Sequence, residues 1–243
     1  MSLSDDAYGQ QVLTYFNGEK SFDIVERDDG RMDCAPSDSY FQEYRDWPKH
    51  QKRAIRFAKG RVLDIGAGAG RVSLYLQKRG FKATAIDSSP LAIQVCKKRG
   101  IKDARLLSID NIDTLRPASF DTVIMYGNNF GLFGGKKKAK VLLQKLHGVT
   151  SPDALIVAES ANPYLSNDPF HLAYHKLNRK CGRMPGQLRI RIRFRNYASD
   201  WFDYLFVAKK EMRDILSGTG WKIKEFVNSG TSRYIAIIAK TLK

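Results

Sequence analysis

From Arg61 to Glu159 the chain alternates short, near-continuous apolar runs with segments of helical pattern, and that alternation leaves few folds open. Arg61-Val62-Leu63-Asp64-Ile65 reads as a strand that runs into glycines, and Val72 to Arg79 as a helix stopped at Gly80. Ala83 to Ile86 is a second strand. The helix expected next, Pro90 to Arg99, has Ser88 or Ser89 as N-cap, a proline in its first turn and Gly100 past its end. Ala104 to Ile109 is a weaker third strand, Phe120 to Tyr126 a fourth, 136–147 a third helix and Ala154 to Glu159 a fifth strand. Strands joined by crossover helices pair in parallel. Runs without polar alternation belong to strands covered on both faces.

The flanks read differently. Residues 1–58 are polar and mixed, with helices expected around 5–17 and 39–58 and a turn at Asp28-Asp29-Gly30, so the reading is an N-terminal helical cap. The sheet domain is expected over 59–243. Prolines 163, 169 and 185 with Gly182 and Gly186 break the rhythm after strand five, and 161–200 reads as an insertion over the sheet's functional end. Met212 to Leu216 sits in a helix. Trp221 to Val227 and Tyr234 to Ala239, separated by Gly230, read as a terminal antiparallel hairpin.

Charge narrows the partners. The 243 residues carry a net charge of +16, unevenly placed. Residues 1–60 hold 9 basic against 11 acidic residues, 61–160 hold 16 against 8, and 161–243 hold 16 against 6. Such a basic middle and end can hold an acidic small molecule, nucleic acid or a membrane surface, although charge alone names no ligand. No apolar run approaches the ~20 residues of a membrane span. The start has no basic region followed by an apolar stretch, and Cys34, Cys96 and Cys181 are too scattered for a disulfide framework or zinc cluster, so a cytoplasmic setting is expected.

The chemistry is expected at Gly66-Ala67-Gly68-Ala69-Gly70, between the first strand and its helix. Glycines let the backbone turn sharply and a ligand approach closely. Asp87, at the end of the second strand, is placed to accept both hydroxyls of a ribose. The dinucleotide fingerprint is G-x-G-x-x-G, but Arg71 stands where its third glycine belongs. Asp64, two residues before the first glycine, adds a carboxylate that suits a cationic amino group better than a pyrophosphate.

These residues resemble the class I S-adenosylmethionine-dependent methyltransferases. The likeness rests on Asp64-x-Gly66-x-Gly68-x-Gly70, then Asp87-Ser88, then Asp110, then Phe120-Asp121, over roughly 40–160 and more weakly in the terminal hairpin. It implies an α/β, Rossmann-like, doubly wound, mostly parallel seven-stranded sheet whose last strand is antiparallel. It implies S-adenosyl-L-methionine as cofactor, with Gly66, Ala67 and Gly68 under its methionine part and Asp64 near its amino group. Asp87 would bind the ribose, with Ser88 beside the adenine and Asp110 and Asn111 at its edge. Tyr126 to Asn128 would border the transferring methyl.

The reaction is an in-line attack that positioning can largely accelerate, so no catalytic base is named. Asn128-Asn129-Phe130-Gly131 lacks the Pro-Pro-Tyr of the adenine-amine and glutamine methyltransferases, and Asn162-Pro163-Tyr164 falls after strand five, where it reads as a loop. His171 and His175 are spaced for one helix face, without the zinc-protease glutamate between them. Tyr8, Tyr15, Tyr40, Tyr44 and Trp47 are either an aromatic lid or core. Arg189, Arg191, Arg193 and Arg195 share one strand face, read as a solvated edge or a site for an anionic substrate or nucleic acid. Lys136-Lys137-Lys138 reads as surface loop, since cations oppose a helix N-terminus. The expected function is methyl transfer to a small-molecule acceptor, with an anionic one admitted by the charge. The rivals are an RNA methyltransferase, a silent cofactor-binding protein and a nicotinamide oxidoreductase. Oligomeric state stays open.

Overall fold

The computed structural model describes residues 5–241; the outermost residues of the expected cap (1–4) and sheet domain (242–243) lie outside the described residues. The chain opens with α1 (Ala7–Phe16), whose N-cap Asp6 accepts the Gly9 N–H at 2.9 Å. A hairpin follows, β1 (Phe22–Arg27) and β2 (Met32–Pro36), turned at Asp28-Asp29-Gly30. After α2 (Lys49–Ala54) come β3 (Arg61–Ile65), α3 (Arg71–Lys78), β4 (Lys82–Asp87) and α4 (Pro90–Lys98). Next are β5 (Ala104–Leu106), β6 (Phe120–Met125), α5 (Lys136–Val149) and β7 (Thr150–Ala161). The last third holds α6 (Pro169–Lys180), β8 (Gln187–Phe194), β9 (Tyr197–Ala198) and β10 (Phe202–Leu205). It closes with α7 (Lys209–Leu216), β11 (Trp221–Asn228) and β12 (Arg233–Lys240).

Seven strands form the main sheet in the order β11-β12-β7-β6-β3-β4-β5. The pairs β3/β4, β3/β6, β4/β5 and β6/β7 are parallel, while β12 runs antiparallel to both β7 and β11. Alternate residues of each strand feed two cores. Leu63, Ile65, Val123 and Met125 pack with Leu142, Leu143 and Leu146 of α5 on one face. Val62, Ile124, Val157 and Ile237 pack with Val72 and Leu76 of α3 on the other. That two-sided burial is why the runs are apolar without alternation, each fully buried side chain contributing about 1.5–3 kcal/mol. The strand order reverses between β3 and β6, so the carboxyl ends of β3, β4 and β6 open a crevice there.

A second, smaller sheet has the order β10-β8-β1-β2, with β9 on β8, and the structure departs from several sequence expectations. Residues 5–17 do hold α1, but 39–58 is no single helix. It is split among short 3₁₀ turns at Tyr44–Asp46 and Ile55–Phe57 and the six-residue α2, because Pro48 prevents a helix from running through. The region expected as a helical cap also contains the β1–β2 hairpin, whose partner β8 lies far along the chain. The arginine ladder is not a solvated edge: β8 is paired on both sides, with Ile190 opposite Arg27 of β1 and Phe202 of β10. Lys136–Lys138 is no loop but the first turn of α5, where Lys138 offsets the adverse helix dipole by pairing with Asp110 at 2.7 Å. The third strand stops at Leu106 because Ser108 caps a 3₁₀ segment at Asp110. Among the described residues no helix is long and apolar enough to cross a membrane.

Candidate functional site

The glycine turn is held from both sides. The Gly66 and Ala67 N–H groups both donate to the Ile86 carbonyl at 3.0 Å, which ties the turn to the end of β4. Gly66 and Gly68 have φ of +67° and +56°, a region that penalises any Cβ. Space agrees: a Cβ on Gly68 would lie 2.5 Å from the Tyr8 hydroxyl, and one on Gly66 2.5 Å from the Asn129 amide nitrogen. The Gly68 N–H donates to Asp87 Oδ2 at 2.9 Å and the Ser89 N–H to Oδ1 at 2.9 Å. Burial raises the Asp87 carboxyl, and these two donors pull it back only in part. Asp64 is buried beside it and accepts from Ser73 Oγ at 2.7 Å; burial lifts its carboxyl to about 6.

Above the turn lies a cavity of about 1560 Å³, larger than the roughly 300–1,000 Å³ that one ligand ordinarily needs. Asp64, Gly66, Ala67, Asp87, Ser88, Asp110, Tyr126 and Asn128 all border it. Gly68 stands behind Asp87 through its N–H bond, whereas Asn111 is not among the bordering residues and its carbonyl accepts from Thr114 Oγ1 at 2.8 Å. The residues expected from the sequence thus border the cavity with two exceptions, Gly68, which stands behind Asp87, and Asn111. Asn128 adopts φ +64°, its Oδ1 has no partner, and its carbonyl accepts from the Tyr204 hydroxyl at 2.8 Å. Asn129 braces the turn by donating to the Ile65 and Gly66 carbonyls at 2.9 Å each.

One buried network was not read from the sequence. Glu159, fully buried in β7, accepts from His50 Nε2 at 3.0 Å, Gln51 Nε2 at 2.7 Å and the Gly127 N–H at 2.8 Å. Burial alone would raise its carboxyl, but the His50 bond and charge, with the two amide donors, hold it below the ordinary glutamate range. Gln51 Oε1 in turn accepts from Arg71 Nη2 at 2.9 Å, and the Tyr126 hydroxyl donates to the Gln51 carbonyl at 2.9 Å. Arg71 lies over the Trp47 ring at 4.9 Å, borders the cavity and leaves Nη1 without a partner. The only sequence signal was Arg71 in the place of a third glycine; His50, Gln51 and Glu159 carry none.

The small sheet roofs the cavity. Asp23, Val25 and Arg27 of β1, Ala35 of β2, and Ile190 and Ile192 of β8 border it. Three of the four ladder arginines stand away from it and are matched by acids. Glu26 takes Arg191 at 2.8 Å and Arg193 at 3.1 Å, and Glu19 takes Arg195 at 2.8 Å; Arg189 borders the cavity and pairs with Asp203 at 3.3 Å. The aromatic group divides: Tyr8 and Tyr40 meet edge to face, 5.3 Å between centroids, and border the cavity. Trp47 is core, Tyr44 stacks on Tyr75, and Tyr15 packs on Phe41. His171 borders the cavity with Nδ1 3.1 Å from Arg27 Nη1, while His175 is buried against Tyr164. Burial and nearby arginines lower both imidazoles.

Residues 62–153 match the family model described as a methyltransferase domain. Among solved structures, the chain superposes on a SAM-dependent methyltransferase from Bacteroides fragilis in complex with S-adenosyl-L-homocysteine, with TM-score 0.85, 26% identity, and 100% of this chain and 98% of that one covered. Among curated proteins it is 34% identical over 74 residues to a ubiquinone biosynthesis O-methyltransferase of Xanthomonas euvesicatoria pv. vesicatoria, covering 28% of this chain and 31% of that one. It is also 34% identical over 116 residues to the tRNA (uracil(54)-C(5))-methyltransferase of Pyrococcus horikoshii, covering 46% of this chain and 26% of that one. The chain therefore spans about a third or less of the length of these curated relatives.

Proposed function

We propose that this chain, which carries a methyltransferase domain on the Rossmann-like fold, transfers a methyl group from S-adenosyl-L-methionine to a small-molecule acceptor. The observation that carries this is the Gly66–Gly68 turn bonded through Gly68 to Asp87 at the floor of a cavity with room for two ligands. When bound, the cofactor supplies an electrophilic methyl on a sulfonium. The chain's part is to bind and orient. Asp87, with lone pairs left beside its two backbone donors, binds the ribose hydroxyls, Ser88 and Asp110 edge the adenine, and Gly66 and Ala67 let the methionine part approach the backbone. Asn111 falls outside this set. Asp64 takes the amino group, and that cation offsets the cost of its burial. Tyr126 and Asn128 set the acceptor side, fixed by Glu159 through Gly127.

The acceptor reading follows from the roof. Val25, Ile190, Ile192 and Phe202 give it an apolar surface, and Lys136, Lys137 and Arg183 border the same cavity, which suits an apolar body with an anionic group. Ladder arginines already paired with Glu19, Glu26 and Asp203 offer little to a phosphate backbone, which favours a small molecule over RNA. Residues 5–58 and 161–200 together form the cover, and a reducing, cytoplasmic setting fits three unpaired cysteines. The test is incubation with methyl-labelled S-adenosylmethionine and, separately, a small-molecule extract and total RNA. Label in small molecules supports the proposal. Label only in RNA replaces the acceptor class, and cofactor binding with no transfer to either pool points to a silent binding protein.

A further inference from the structure

The cavity face of the small sheet changes character across its width. Cross-strand register sets Val25 opposite Ile192, Ile190 opposite Phe202 and Leu188 opposite Tyr204. Directly opposite residues share a face, and all six of these border the cavity. The face is therefore aliphatic on β1 and β8 and turns aromatic on its edge strand, β10. Phe206, one residue past β10, continues the alternation and also borders the cavity. The residues between, Leu205 and Val207, are fully buried in the core behind, whereas the three rings are only half-buried. They follow one another edge to face, 6.5 Å and 5.6 Å between centroids.

Direct contacts place this aromatic edge beside the loop after β6. The Tyr204 hydroxyl donates to the Asn128 carbonyl at 2.8 Å. Its ring packs on Gly131, where a Cβ would lie 2.3 Å from Cε1. The hydroxyl is thus committed to the loop, and what Tyr204 offers the cavity is its ring. Such rings hold planar π-systems by stacked or edge-to-face contact, and hold cations through their quadrupole. The surrounding charge separates these two ligands. Lys136, Lys137 and Arg183 border the same cavity, and the basic first turn of α5 begins next to the rings. A Cβ on Gly134, two residues before Lys136, would touch the Cβ of Asp203 on β10 at 3.4 Å, and Asp203 is itself paired with Arg189 at 3.3 Å. Unpaired lysines at that place oppose a cationic ligand and leave the planar ring.

Taking methyl transfer to a small molecule as given, we propose that the acceptor carries a planar aromatic or heteroaromatic ring, seated on Phe202, Tyr204 and Phe206 beside the loop after β6. Tyr204 acts twice there. Its ring sets the plane of the acceptor, and its hydroxyl fixes the loop that the acceptor must face. The aliphatic part of the roof, Val25, Ile190 and Ile192, takes whatever apolar substituent the ring bears.

The experiment is labelling by the full chain. Methyl-labelled S-adenosylmethionine is incubated with a small-molecule extract, the labelled product is isolated, and its near-ultraviolet spectrum and mass identify the acceptor. Initial rates with that acceptor are then taken on wild type, Tyr204→Leu, Phe202→Leu and Tyr204→Phe, with calorimetric S-adenosylmethionine binding as the check that each variant is folded. The product should contain an aromatic ring. Both Leu variants should still bind the donor and raise the acceptor KM about three- to tenfold, the worth of an aromatic pair beyond its buried area. Tyr204→Phe keeps the ring and loses the bond to the Asn128 carbonyl, so it should keep KM and lower kcat. A labelled product without a ring, Leu variants with the wild-type KM, or a Phe variant with a KM as high as that of Leu overturns the inference and leaves methyl transfer to a small molecule standing. No label in small molecules from a wild type that binds the donor overturns the proposed function, and this inference with it.

Discussion

Removing Glu159 tests how the loop after β6 is held to α2 and β7. Glu159→Ala leaves two buried donors, His50 Nε2 and Gln51 Nε2, and the part-buried Gly127 N–H without their shared acceptor. Each orphaned donor costs about 1–3 kcal/mol, the costs overlap within one network, and breaking a buried pair from one side typically costs about 3–5 kcal/mol. We expect a loss in that range, which for a chain of 243 residues is a fall of roughly 6–20 °C in melting temperature. Glu159→Gln is the control. Its amide oxygen can still accept from Gln51 and Gly127, and its amide N–H₂ can face a His50 ring in the other tautomer, so only charge assistance is lost, about 1 kcal/mol. The carboxyl is held below the ordinary glutamate range, so its contribution is present above that range and fades as pH falls through the folded value. Urea unfolding at pH 7 and at stepped acid pH reads both effects, and the Gln variant should lack that acid component. An Ala variant within about 1 kcal/mol of wild type, or a Gln variant as damaged as Ala, would refute the network.

Three further outcomes follow from the same geometry. Gly68→Ala forces a Cβ toward the Tyr8 hydroxyl in a left-handed backbone, so calorimetry should show donor affinity falling at least about tenfold, and an unchanged affinity would sink the tight-turn argument. Burial raises the Asp64 carboxyl to about 6, so the folded chain binds a proton between the ordinary aspartate range and that value that the unfolded chain does not. Stability from this group therefore falls as pH rises through that window, and Asp64→Asn should flatten the slope seen in denaturant titrations from pH 4 to 7. Arg191→Ala with Arg193→Ala strips both partners from Glu26 on the far side of the roof and should leave donor affinity unchanged, whereas a loss would place the ladder in the binding site.

The sequence made the main sheet legible because its signals are local. Two-sided burial writes continuous apolar runs, and α4 carries its own end marks, Ser89 with Pro90 at its start and Gly100 just past its end. The Gly66–Gly68 turn and Asp87 were equally readable, since one backbone conformation and one strand end place them together. The small sheet was hidden for the opposite reason. Phe22–Arg27 has charged residues at both core-facing and outward positions, and its partner β8 is more than 160 residues away. Arginines that look unmatched in sequence, and so invite an edge-strand reading, meet Glu26 and Glu19 only after the chain returns. Glu159 with His50 and Gln51 was invisible on the same ground: three ordinary polar residues, separated by over a hundred positions, gain a role only when α2 packs against the end of β7.

The central claim is that the Gly66–Gly68 turn and Asp87 bind a methyl donor rather than a nicotinamide dinucleotide. Calorimetric titration of wild type and Asp87→Ala with S-adenosylmethionine and, separately, NADH tests it directly. Wild type should bind S-adenosylmethionine alone, with micromolar affinity, and a folded Asp87→Ala variant should lose that binding. Binding of NADH, or a folded wild type that does not bind S-adenosylmethionine, would contradict it.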